Sequence, residues 1–254
     1  MRGFMVDVGG VVVWRNARDD RWRDRVRSPG YDGGVPLRSR IGNRAFTIAV
    51  QRGLIGDSYR FQVKRARFLA LLAGTPEGRH ALQVRDDHGI TLSWVDGGAA
   101  SYDGESRCTL NLNMDAGRLA GYFVHEMHHV ERKKSGASPD ADASPDEKQY
   151  VDRMVGEEIE GTVLGFQSRI GQPGPLMPGE EFYRIAHRDA RDQALRAGAD
   201  ATAAEGAGRA AGRRAVEQLI RPSDGSWPRI APNTFESYEM YYHRVWRKSH
   251  QVRR

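Results

Sequence analysis

Three of the chain's eight histidines stand within five residues, in the run His125, Glu126, Met127, His128, His129. On a helix, His125 and His129 lie one turn apart on the same face, so both imidazoles can reach one Zn²⁺ ion. Glu126, beside the first of them, can hold a water at the metal and act as general base. With this chain's His and Glu content, such an HExxH pattern arises by chance about once in seventy sequences. A hydrolytic zinc site needs a third protein ligand and one open position for water. Cys108 is the single cysteine, so that ligand has to come from a histidine or a carboxylate.

On a helical wheel His129 lies about 40° from His125, whereas Leu119, Ala120, Phe123, Met127 and Val130 gather between about 120° and 220°. The helix has an apolar back and a histidine front, as suits a helix lining a cleft; the competing reading is a surface histidine cluster. His128 points away from the other two, towards solvent or a supporting position. The next helical stretch carries Glu157, Glu158 and Glu160. Val151, Met154, Val155 and Thr162 fall within about 60° of Glu158, while Glu157 and Glu160 fall on the opposite, exposed side. A carboxylate on an apolar edge is costly without a partner, and a metal is a natural one. Glu158 is the expected third ligand and Glu157 the reserve; a glutamate paired with arginine is the alternative. On this reading Glu158→Ala costs metal affinity and Glu157→Ala does not.

An oxyanion formed during hydrolysis gains from a further donor. Tyr238, Tyr241, Tyr242 and His243 in the C-terminal tail are candidates, as is Tyr102, and Tyr241 and His243 are the ones selected. Aromatic packing of a C-terminal helix competes with that role.

The elements that must position these groups follow from periodicity and turn chemistry. A short strand or hairpin is expected around Gly9-Gly10, then an Arg-rich arm broken by SPGYDGGVP. Residues 60–89 read as helical, with GTPEG as a turn or stop. Two strand-like segments follow, GITLSWVDG and ESRCTLNLN, joined by the turn-rich GGAASYDG. In the second, Cys108, Leu110 and Leu112 alternate with Thr109, Asn111 and Asn113, as in a half-buried strand. Asp115 can cap a helix over about 116–133. The small, polar run KKSGASPDADASPDEK reads as a flexible connector to a second helix at roughly 146–170. GQPGPLMPG ends that helix, and two Ala- and Arg-rich helical segments lead to the aromatic-basic tail.

Composition bounds the rest. The 254 residues suit one large domain or a domain with appendages, and 39% apolar content suffices for a core despite a mean hydropathy of −0.64. No stretch approaches the roughly 20 apolar residues of a membrane span. Asp7 interrupts the first apolar run and no small-x-small cleavage site follows, so a cytoplasmic location, or export without a cleaved Sec signal, is expected. The net charge of +6 raises nucleic-acid binding as a second function. Only five of the 39 basic residues are lysine, however, and aspartates interleave the N-terminal arm, which disfavours a continuous phosphate-binding stripe.

The segment GGAASYDGESRCTLNLNMDAGRLAGYFVHEMHHVE resembles bacterial metallopeptidases of the gluzincin (HExxH…E) type associated with effectors and toxins. The later EIEGT, Glu158 to Thr162, is similar to the E-x-E-A-[DN] element in which some gluzincins carry their third ligand. That resemblance again selects Glu158, and it puts Thr162 where an Asp or Asn commonly supports a ligand histidine. It covers roughly residues 69–170 and implies a zinc cofactor, with Glu126 as the general base in peptide-bond hydrolysis. It also implies that CTLNLN is the edge strand of a small sheet, where a peptide binds by adding a strand.

The expected fold is α+β, a mostly helical zincin-like domain with a small β-sheet packed on the HExxH helix. Residues 1–57 would be a partly disordered arm, 58–175 the metallopeptidase core, and 176–254 a helical portion completing the cleft. The expected partner is a protein or peptide substrate, with no membrane and nucleic acid disfavoured. The alternative is a basic regulatory or nucleic-acid-binding protein built on a zincin-like scaffold.

Overall fold

The computed structural model describes residues 3–8, 11–16, 57–97, 100–232 and 235–251. The chain divides into two compact units, Met1–Arg67 and Phe68–Arg254. In the first, β1 (Gly3–Val8) and β2 (Val11–Asn16) pair antiparallel, with Gly3 opposite Asn16 and Val8 opposite Val11. The Arg-rich arm beyond this hairpin lies outside the described residues. The boundary between the units falls within α1 (Asp57–Ala73).

The second unit is mostly helical with a small sheet, an α+β arrangement. Thr75 caps α2 (Pro76–Asp87) by accepting the Gly78 N–H, so GTPEG acts as both a stop and a start. The sheet order is β3-β5-β4. Here β3 (Thr91–Val95) runs parallel to β5 (Arg107–Asn111), and the two-residue β4 (Ser101–Tyr102) pairs antiparallel on the other side of β5. The strand expected at the sheet edge is therefore its centre, and β3 and β4 hold the two edges. The cause lies in the turn: the Asp103 carboxylate gathers the N–H groups of Glu105, Ser106 and Arg107 at 2.8–3.1 Å, folding the chain back onto β5.

Asp115 caps α3 (Ala116–Lys134) through the Gly117 N–H, and Asp146 caps α4 (Glu147–Gln167) through the Gln149 N–H. The remaining helices are α5 (Glu180–Arg196), α6 (Ala201–Ile220) and α7 (Tyr238–Gln251). Helices α3 and α4 belong to different cores. The back of α3, through Leu119, Phe123, Met127 and Val130, packs with Phe68, Leu72, Cys108 and Leu110. Helix α4 packs through Val151, Val155, Ile159 and Phe166 with Tyr183, Val216, Ile220 and Tyr242. Each fully buried side chain of this size contributes roughly 1.5–3 kcal/mol, so each helix is anchored by a core of its own in addition to its contact with the other.

Where α3 and α4 approach, glycine is required. A Cβ on Gly165 would lie 2.8 Å from the Gly121 carbonyl oxygen, and one on Gly161 would lie 3.0 Å from His125 Nδ1. The turn after α4 is held by Arg169, whose Nε donates to Glu180 Oε2 at 2.8 Å with both side chains fully buried.

The run between α3 and α4, expected to be a flexible connector, is pinned instead. The Ser138 hydroxyl reaches Glu157, Ser144 N–H and Oγ both donate to the Asp140 carbonyl, and Trp246 Nε1 donates to the Ser144 carbonyl. Polar, turn-forming composition marked the run as irregular; bonds to distant residues determine whether it is held.

Candidate metal centre

Helix α3 presents His125 and His129 one turn apart, with ring centroids 4.8 Å from each other. Their Nε2 atoms are 3.0 Å apart. Glu158 on α4 brings Oε2 to 3.2 Å from His125 Nε2 and 3.6 Å from His129 Nε2. The three ligand atoms form a compact triangle that could hold a metal ion, the one such cluster among the described residues. Glu158 is only 5% exposed, and its carboxyl is held far below the usual range. Burial alone would raise it, but hydrogen bonds to His125 and His129 and their charge outweigh that effect.

The second histidine is gripped from both ends. His129 Nδ1 lies 2.8 Å from Glu157 Oε1, while its Nε2 faces His125 and Glu158. Burial lowers its proton affinity, but Glu157 and Glu158 more than reverse this and raise its pKa to about 10. The two carboxylates thus favour the protonated ring, with Glu157 at Nδ1 and Glu158 on the Nε2 side. A divalent cation between the three ligand atoms would take the place of the Nε2 proton.

Glu157 is a correction to the helical wheel, which put it on an exposed side. It is 4% exposed, with the Ser138 hydroxyl 2.7 and 2.8 Å from its two oxygens and Arg132 Nε donating at 3.2 Å. The folded-back connector covers the face that the isolated helix leaves open. His125 has a poorer support, because Thr162 Oγ1 is 3.5 Å from its Nδ1, at the limit of a hydrogen bond. Glu160 follows the wheel and pairs with Arg213 at the surface, 2.7 Å away.

Glu126 is 9% exposed and turns towards the sheet, where Oε2 accepts the backbone N–H of Tyr102 at 2.9 Å. Burial raises its affinity for a proton, while the charges of His125 and His129 act against that. The Asp103-closed turn thus has a purpose beyond folding the sheet, since it delivers the donor that orients Glu126. The Tyr102 hydroxyl goes elsewhere, to the Glu105 carbonyl at 3.1 Å. His128 lines a groove on the far side of α3 with Pro76, His80 and Val84. Its Nε2 is buried without a hydrogen bond, and burial followed by the His129 charge lowers its pKa to about 4.

Tyr241 and His243, selected as oxyanion donors, are not brought to the cluster. His243 Nδ1 lies 2.8 Å from Glu147 Oε1 at the start of α4, and Tyr241 packs edge-on against Tyr242 with Arg244 over its ring. The tyrosines that do reach the site are Tyr242, whose hydroxyl donates to Glu158 Oε1, and Tyr238, which also acts on Glu158. They are four residues apart and share the inward face of α7, continued by Val245 and Trp246. Tyr241 packs against the same core, so this stripe sets the tyrosines apart from His243 but does not by itself distinguish Tyr238 and Tyr242 from Tyr241.

Compared with known protein families, with curated proteins and with solved structures, the chain matches none. Any reading of its function therefore rests on the site itself. Among the described residues, no helix is long and apolar enough to cross a membrane.

Proposed function

We propose that the protein is a zinc-dependent metallopeptidase, with His125, His129 and Glu158 as the zinc ligands and Glu126 as the general base. One observation carries this reading. Zinc held by imidazole and carboxylate at about 2.0–2.2 Å in a tetrahedron sets its ligand atoms about 3.3–3.6 Å apart. The three donors here are separated by 3.0, 3.2 and 3.6 Å. Two imidazoles and one carboxylate also form the donor set of a hydrolytic centre, which keeps one position for water or substrate. When bound, zinc supplies a Lewis acid that polarises a carbonyl and lowers the pKa of water.

The chain's own residues supply the proton path. Tyr102 N–H fixes one oxygen of Glu126, leaving the carboxylate to take a proton from the attacking water. As the water oxygen bonds to the peptide carbon and the C–N bond breaks, Glu126 passes that proton to the leaving amine. The gluzincin resemblance of the HExxH and EIEGT segments supports a peptide or protein as substrate. The mechanism is tested by Glu126→Gln in the zinc-loaded full chain, assayed against a peptide library. Hydrolysis should fall about 10²–10⁴-fold with one zinc retained per chain. Undiminished hydrolysis in that variant would overturn the mechanism.

A further inference from the structure

We infer that Tyr242 is a positioning residue that restricts Glu158 to a single coordinating oxygen and so keeps a place at the metal for water. This rests on the zinc reading above and adds to it a role for the C-terminal helix. The two oxygens of Glu158 have different surroundings. Oε2 faces the ligand nitrogens of His125 and His129. Oε1 accepts the hydroxyl of Tyr242, 84 residues further along the chain. An ionised carboxylate only accepts hydrogen bonds, so the phenol is the donor, and it engages the oxygen other than the one set against the histidines.

The donor is held rigidly. Tyr242 is 7% exposed, and its ring meets Tyr150 and Tyr241 edge-on at 6.2 and 5.0 Å and stacks with Tyr238 at 6.4 Å. Helix α7 is tied to α4 and its connector by three further contacts. His243 and Arg247 both reach Glu147, and Trp246 Nε1 reaches the Ser144 carbonyl. Losing the hydroxyl alone would leave this packing in place and take the Tyr242 donor from Oε1, with Tyr238 the remaining tyrosine acting on Glu158. A freed carboxylate can turn both oxygens to a metal, filling the position that hydrolysis requires.

The test uses full-length wild type, Tyr242→Phe and the packing control Tyr150→Phe, each loaded with one equivalent of Zn²⁺ or Co²⁺. For Tyr242→Phe we expect the visible Co²⁺ absorption to lose its four-coordinate intensity, the zinc Kd to rise about 10-fold, and kcat to fall more than KM changes. Tyr150→Phe should keep the wild-type spectrum. A wild-type spectrum and wild-type zinc affinity in Tyr242→Phe would overturn the inference. X-ray absorption of zinc-loaded wild type tests it independently of how the variant folds: four ligand atoms support it, and five with both Glu158 oxygens bound overturn it. Wild type that takes up no stoichiometric metal would overturn the zinc reading itself, an outcome distinct from either of these.

Discussion

Glu157 and Glu158 are neighbours on one helix, both buried, and both act on His129, yet they do different things to it. Glu158 faces the Nε2 side, where a metal would sit, and Glu157 holds Nδ1 from behind. Adjacent side chains on a helix diverge by about 100°, so a pair can serve two ends of one imidazole only if different elements cover each. Helix α7 covers Glu158 through Tyr242, and the connector covers Glu157 through Ser138. A buried carboxylate is thus defined by what its second oxygen meets as much as by its place on the wheel.

Three substitutions would break or sharpen this comparison. The largest effect is expected from Glu158→Ala, which removes a proposed ligand: equilibrium dialysis should find no stoichiometric zinc at micromolar concentration. Glu157→Ala should leave one zinc per chain but weaken its binding about 10–100-fold, the usual cost of losing the group behind a ligand histidine. That expectation replaces the sequence-based one, in which Glu157 was dispensable; equal losses in the two variants would make Glu157 a ligand. The smallest effect belongs to the other histidine. Thr162→Val removes a contact already at 3.5 Å and should change zinc affinity less than about twofold. A larger loss would show that His125 depends on its rear partner as His129 does.

Much of the scaffold was legible because its signals are local. Asp115 caps the helix it precedes, Cys108 and Leu110 face a core, and the HExxH spacing is a helix repeat. The EIEGT segment and the wheel both led to Glu158. The missing features depend on how one segment folds onto another, which the periodicity within a single element does not report. The wheel for α4 had no means of knowing that Ser138 folds over Glu157, nor the alternation in β5 that Tyr102 would pair with Cys108 and take the sheet edge. Tyr241 and His243 were chosen for their chemistry, and the periodicity of α7, which turns Tyr238, Tyr241 and Tyr242 towards one core, does not tell which tyrosine meets Glu158.

The glycines where α3 and α4 approach have a consequence for which ion the proposed metal centre would accept. His125 and His129 ride on one backbone and Glu158 on the other, so the gap between two main chains sets the span that a cation must fill. Gly161 stands in that gap, where even a methyl group would press on the His125 ring. On the proposed zinc reading, a residue with no side chain would thus act as a size gauge: a larger residue at 161 would part the two helices and favour larger divalent ions with the same three ligand residues.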